Sequence, residues 1–126
     1  MSLLKPEESS FAGTVNVLVI GGGGCGLSAA LSAHEHGAEV LVLERDSSAL
    51  GTTSMSTGLI PGAGSRFQTE KGIVDTPDIF ATDIMHKTRD QTDQSMAVHM
   101  AEQSAPTVEW LADYCGVPLS LVDSFD

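Results

Sequence analysis

Basic residues are scarce in this chain: six Lys and Arg stand against 17 Asp and Glu, a formal charge of −11 over 126 residues. A surface that neutralises phosphates needs clustered Lys and Arg, so nucleic-acid binding is excluded. Electrostatic attachment to anionic lipid is excluded for the same reason. Aromatic residues make up only 5%, so any core must be aliphatic. There are two cysteines, Cys25 and Cys115, with no C-x-x-C pair. That usage suits a reducing compartment, and the chain is read as cytoplasmic. Among the histidines, His34 and His36 are two apart and point different ways on a helix, so ligand spacing gives no metal site. Charge is absent from Ser9 to Ala33, long enough to span a bilayer at ~20 residues. Gly21, Gly22, Gly23, Gly24 and Gly26 sit in its middle, however, and each costs a helix up to ~1 kcal/mol relative to Ala. The leading segment sets Lys5 against Glu7 and Glu8, which is not the positive start of a signal peptide. No membrane span is expected.

What is present is 41% hydrophobic and 18% charged, so this is not a disordered acidic tail. The charge is uneven. Residues 1–66 hold six acids and three bases, whereas residues 67–126 hold eleven acids and three bases. The first half reads as the part with a buried sheet and the second as solvated helices. Residues 1–13 read as a flexible lead-in. Thr14–Ile20 (TVNVLVI) is β-branched and nearly all apolar, the pattern of a strand buried on both faces of a parallel sheet. Cys25–His36 reads as a helix with Leu27, Ala30, Leu31 and His34 on one stripe, stopped by Gly37. Ala38–Glu44 (AEVLVLE) is a second strand closed by an acid. Together they make one strand–helix–strand unit.

From Ser47 to Ser65, 12 of 19 residues are Ser, Thr or Gly, and none is charged. Beyond Arg66 the texture turns helical. Thr76-Pro77 starts one helix, with Ile79, Phe80, Ile84 and Lys87 at helical spacing. Asp93 caps another, through Met96, Met100 and Gln103, which Pro106 should kink or break. Ser104 is placed to cap a fresh turn burying Val108, Leu111, Ala112 and Cys115, ended by Gly116-Val117-Pro118. Leu119–Val122 reads as a short strand. Trp110 and Tyr114, four apart, should pack together.

Gly21, Gly23 and Gly26 form G-x-G-x-x-G between the first strand and its helix, and Glu44 closes the next strand. Each part has a physical reason. Gly21 permits a tight turn, Gly23 lets a pyrophosphate approach the backbone, and Gly26 lets helix and strand pack closely. The helix N-terminus offers free N–H groups and a positive dipole end. Cys25 fills the last variable position as a small residue that suits the turn. Glu44 is placed to accept from ribose hydroxyls and disfavours a 2′-phosphate. The motif alone leaves FAD and NAD both open. An NAD-type domain would continue in further strand–helix units. Here a hydroxyl-rich loop and helices follow instead, which favours FAD.

The run VNVLVIGGGGCGLSAA, then VLVLER, then GTTSMSTGLI resembles the start of the fumarate reductase/succinate dehydrogenase flavoprotein family. TPDIFATDIM and VEWLADYCGVPL continue the likeness, which covers nearly all of residues 14–122. The Ser/Thr/Gly loop is also similar to that of 3-ketosteroid dehydrogenases. The resemblance implies an α/β chain, a partial Rossmann-like FAD-binding domain over residues 14–126. It assigns Gly21, Gly22, Gly23, Gly24, Cys25 and Gly26 to the pyrophosphate turn and Glu44 to the ribose, with Arg45 on the adenine side. Thr52, Thr53, Ser56, Thr57 and Gly58 would line the diphosphate and flavin. Family members with covalent FAD use a histidine in this loop. None lies between His36 and His86, so non-covalent FAD is implied. Where the family shows two glycines, this chain has Gly58 followed by Leu59.

Family members run to several hundred residues, so the resemblance implies an N-terminal portion truncated before the substrate-capping domain. The catalytic residues and the small-molecule substrate site would lie beyond Asp126, and the isolated chain would be inactive. Surface left uncovered would favour self-association. The reading is thus the FAD-binding portion of a flavin-dependent oxidoreductase acting on an activated C–C bond. The rivals are an NAD-dependent dehydrogenase fragment and a non-enzymatic nucleotide-binding domain.

Overall fold

A computed structural model of the chain describes residues 11–49 and 51–122. The lead-in expected over residues 1–13 falls mostly outside them. The chain divides into two compact units, up to Gly58 and from Leu59 onward.

The first unit is a parallel strand–helix–strand. Strand β1 (Val17–Ile20) pairs with β2 (Val40–Leu43) in the register Val17 with Val40 through Ile20 with Leu43. Helix α1 (Gly24–Glu35) joins them and packs on both. Gly37, at φ +83°, ends the helix as the sequence indicates. A 3₁₀ turn over Thr52–Met55 follows. The strands are not buried on both faces. Val17, Val19, Val40 and Val42 are half-buried, and Val19 faces α1, because a Cβ on Gly26 would sit 3.2 Å from its Cγ1. Leu18, Ile20, Leu41 and Leu43 alternate with them and are exposed, Ile20 by 82%. A second covering layer is what the apolar pattern anticipates, and no element of this unit provides it among the described residues. On α1, only Ala30 of the expected stripe is buried, while Leu27 and Leu31 remain exposed.

The second unit holds a short helix α2 (Arg66–Thr69), which the sequence does not signal, then α3 (Pro77–Lys87) and α4 (Gln94–Asp113). Thr76 caps α3 by accepting from Ile79 N at 3.2 Å, with Pro77 in the first turn. Asp93 caps α4 by accepting from Met96 N at 3.0 Å. Pro106 does not break α4, which runs on as one helix of 20 residues. Its buried stripe is Ala97, Ala101, Ser104 and Val108, on both sides of the proline and packed towards α3. Met96 and Met100, which the sequence places along this helix, are one position off the stripe and exposed. Ser104 caps nothing. It sits inside α4, where its hydroxyl donates to Ala101 O at 2.8 Å and accepts from the buried Ala63 N at 3.1 Å. Arg66 is tied to the same helix: its N–H donates to Glu109 at 2.7 Å, and its guanidinium forks onto Asp113 at 2.5 and 2.6 Å. Trp110 and Tyr114 stack with centroids 5.7 Å apart. Leu119–Val122 is irregular, not a strand.

Candidate functional site

The glycine turn leaves β1 where Gly21 N donates to Leu43 O at 2.7 Å, the last rung of the parallel pair. Gly21 then takes φ +103°, a conformation side chains rarely adopt, and turns the chain into α1. Gly26 lies one turn into the helix. A Cβ there would overlap Gly21 O, so its hydrogen is what lets α1 sit against β1. Gly23, at the N-cap, has open space beside it: a Cβ would meet only Thr53 Oγ1, at 4.0 Å. An anionic oxygen can therefore reach the backbone there, where the N-terminal end of a 12-residue helix favours negative charge.

Two site residues distant in sequence hold the turn. Glu44, just past β2, accepts from Gly22 N on Oε2 at 2.6 Å and from Asp46 N on Oε1 at 3.0 Å. The Asp46 amide first, then the Gly22 amide, hold the Glu44 carboxyl below its ordinary pKa, against a smaller opposing effect of desolvation. The hydroxyl of Thr53, in the 3₁₀ turn, accepts from Gly24 N at 3.1 Å. One amide at the head of α1 is thus already engaged by the hydroxyl-rich loop. Gly51, which the motif does not mark, belongs here too: a Cβ on it would lie 3.7 Å from Gly23 Cα. Its position inside the Ser/Thr/Gly stretch was the available signal. Asp46 is another such residue, contributing only its backbone.

The side chains of the other expected residues make no hydrogen bond to the turn among the described residues. Arg45 pairs with Asp46 at 3.3 Å and is 90% exposed. The Cys25 thiol is free and exposed. Ser56 accepts from Gly58 N at 3.2 Å, closing the loop on itself, and Gly58 has φ +77°. Thr52 and Thr57 are exposed, and no hydrogen bond joins either to the turn among the described residues. No group of three metal-ligating side chains occurs among the described residues, and no helix there is long and apolar enough to cross a membrane.

The model of the FAD binding domain family matches residues 16–124. The chain is 34% identical over 98 residues to an NADH:fumarate oxidoreductase of Klebsiella pneumoniae, covering 78% of this chain and 11% of that protein. It is 36% identical over 98 residues to a probable fumarate reductase, Ifc3, of Shewanella frigidimarina, covering 78% of this chain and 17% of that one. The solved 3-ketosteroid-delta4-(5alpha)-dehydrogenase from Rhodococcus jostii RHA1 superposes with a TM-score of 0.76 at 36% identity, over 84% of this chain and 22% of that one. The chain therefore spans less than a quarter of the length of these relatives. A strand–glycine turn–helix–strand closed by an acid, and a family match over nearly its whole length, place this chain in the FAD binding domain family of fumarate reductase-like and ketosteroid dehydrogenase-like flavoenzymes.

Proposed function

We propose that this chain forms the ADP-holding, Rossmann-like part of a flavin-dependent oxidoreductase that reduces or oxidises an activated C–C bond of a small molecule. The observation that carries the reading is the cradle at Gly23, open to an anion and flanked by Glu44 and Thr53. Gly21 to Gly26 would take the pyrophosphate, and Glu44 the adenosine ribose, with Arg45 towards the adenine. Thr52, Thr53, Ser56, Thr57 and Gly58 would face the diphosphate and flavin. FAD supplies the hydride chemistry, while the protein binds and orients it. Groups that donate protons and recognise substrate are assigned to sequence following Asp126, in a substrate-capping domain. The sparse cysteine usage, Cys25 and Cys115 with no C-x-x-C pair, supports a reducing, cytoplasmic compartment.

The test is the colour of the intact flavoprotein. A purified intact protein is expected to be yellow, with a flavin absorbance spectrum, and to release FAD into the supernatant on acid precipitation. Colourless protein that does not bind added FAD would overturn the reading. Flavin that stays with the precipitate would overturn non-covalent attachment.

A further inference from the structure

Glu44 is assigned the ribose above, yet its carboxylate is already engaged on both oxygens. Gly22 N donates to one at 2.6 Å and Asp46 N to the other at 3.0 Å. Gly22 is buried, and a Cβ on it would press on Glu44 Oε2 at 3.1 Å and on Ala49 Cβ at 3.3 Å. The carboxylate is thus packed against the turn as well as bonded to it. Hydrogen bonds to an ionised acceptor are roughly twice as strong as neutral ones. The turn itself is four consecutive glycines, with no side chain to choose a path. What chooses it is a group 22 residues away. Each carboxylate oxygen keeps a second lone pair, so gripping the two amides leaves Glu44 able to accept from a ribose hydroxyl.

We infer that Glu44 is a positioning residue for the diphosphate in addition to its role at the ribose: by holding the Gly22 and Asp46 amides it fixes the glycine turn in the shape that presents the turn to the phosphates. This rests on the FAD reading and makes a different prediction from it. A carboxylate that serves only ribose hydroxyls is indifferent to a nucleotide that lacks them, whereas one that shapes the turn is not.

The experiment uses the intact protein freed of flavin, with FAD, ADP and 2′,3′-dideoxy-ADP as probes in calorimetry. Glu44→Gln is expected to weaken dideoxy-ADP by about tenfold, as the loss of a charged hydrogen-bond acceptor implies, in nucleotide-free protein that is still folded at the assay temperature. Glu44→Asp, which keeps the charge, should bind dideoxy-ADP more tightly than Glu44→Gln. Gly22→Ala, which leaves the carboxylate in place but pushes on it, should weaken dideoxy-ADP without a further loss in the double variant. Dideoxy-ADP affinity unchanged in Glu44→Gln, with ADP weakened, would leave Glu44 a ribose acceptor alone and overturn the inference. So would Glu44→Asp binding no better than Glu44→Gln, or a loss that only tracks a fall in melting temperature. A wild-type protein that binds neither FAD nor ADP would overturn the FAD reading, and this inference with it.

Discussion

At Gly26 a single hydrogen atom separates the head of α1 from the carbonyl of Gly21. Overpacking ordinarily costs ~1–3 kcal/mol, and here the obstacle is backbone, which yields less than a side chain. Gly26→Ala is therefore expected to lose at least about tenfold in FAD affinity in the intact protein, read by flavin fluorescence titration. Unaltered affinity would mean that β1 and α1 can part without harm to the cradle. Glu44 sets a pH dependence at the same scale. Its folded pKa lies below the ordinary carboxylate value of 4.5, because the amides of Asp46 and Gly22 favour the carboxylate. The stabilisation is thus complete above that value and is lost as pH falls through the lowered one. Acid titration of the flavin-loaded protein should release FAD over that interval. Glu44→Gln should lack this step, since its amide does not titrate there. An identical release profile in the variant would show that another group governs it. The sequence made the glycines and Glu44 visible through their spacing. It did not reveal that Glu44 grips Gly22 or that Thr53 reaches Gly24, because partners 22 and 29 residues apart meet only once the strand pair and the loop have formed.

Among the elements, α4 departs most from its sequence. Pro106 signals a break because it lacks an N–H for the carbonyl of Glu102 and its ring crowds that carbonyl. The helix continues because Ala97, Ala101, Ser104 and Val108 are packed on one stripe through the proline, while Pro106 and Glu102 lie on the exposed side, where water can serve the orphaned carbonyl. Local propensity yields to packing that no single window of residues discloses. The same holds for Leu119–Val122, a short apolar run with no partner strand among the described residues. The β1–α1–β2 unit and the caps at Thr76 and Asp93 were legible because their signals are local. Two substitutions in α4 should act in opposite directions. Pro106→Ala restores a helix donor and should stabilise by ~1–2 kcal/mol, after allowing for the freer unfolded chain. Ser104→Ala leaves the buried Ala63 amide without its acceptor and should cost ~1–3 kcal/mol. Native-state hydrogen exchange of the intact protein reads both. Amides of α4 should exchange more slowly in the first variant, and that of Ala63 faster in the second. Faster α4 exchange in Pro106→Ala would mean that the proline supports the helix instead of straining it.

The whole molecule is poor in buried apolar bulk. Among the described residues the buried hydrophobics are Ala30, Ala63, Ala81, Ala97, Ala101 and Val108, none larger than valine. Leu18, Ile20, Leu41 and Leu43 lie bare on one face of a two-stranded sheet, and two strands alone are marginal in water. The net charge of −11 opposes association, since like-charged copies repel. The balance between these two forces can be set from outside. Salt shortens the Debye length from ~10 Å at 0.1 M to ~3 Å at 1 M and removes the repulsion, while leaving the apolar face untouched. The isolated 126-residue chain is therefore expected to self-associate, and to do so more strongly as salt rises, with the particle mass in light scattering climbing across that range. Substituting Ile20 and Leu41 by Thr should blunt the rise, because it removes apolar area from the bare face without altering charge. A chain that stays monomeric through 1 M salt and unfolds cooperatively would show that the two units bury enough surface on their own.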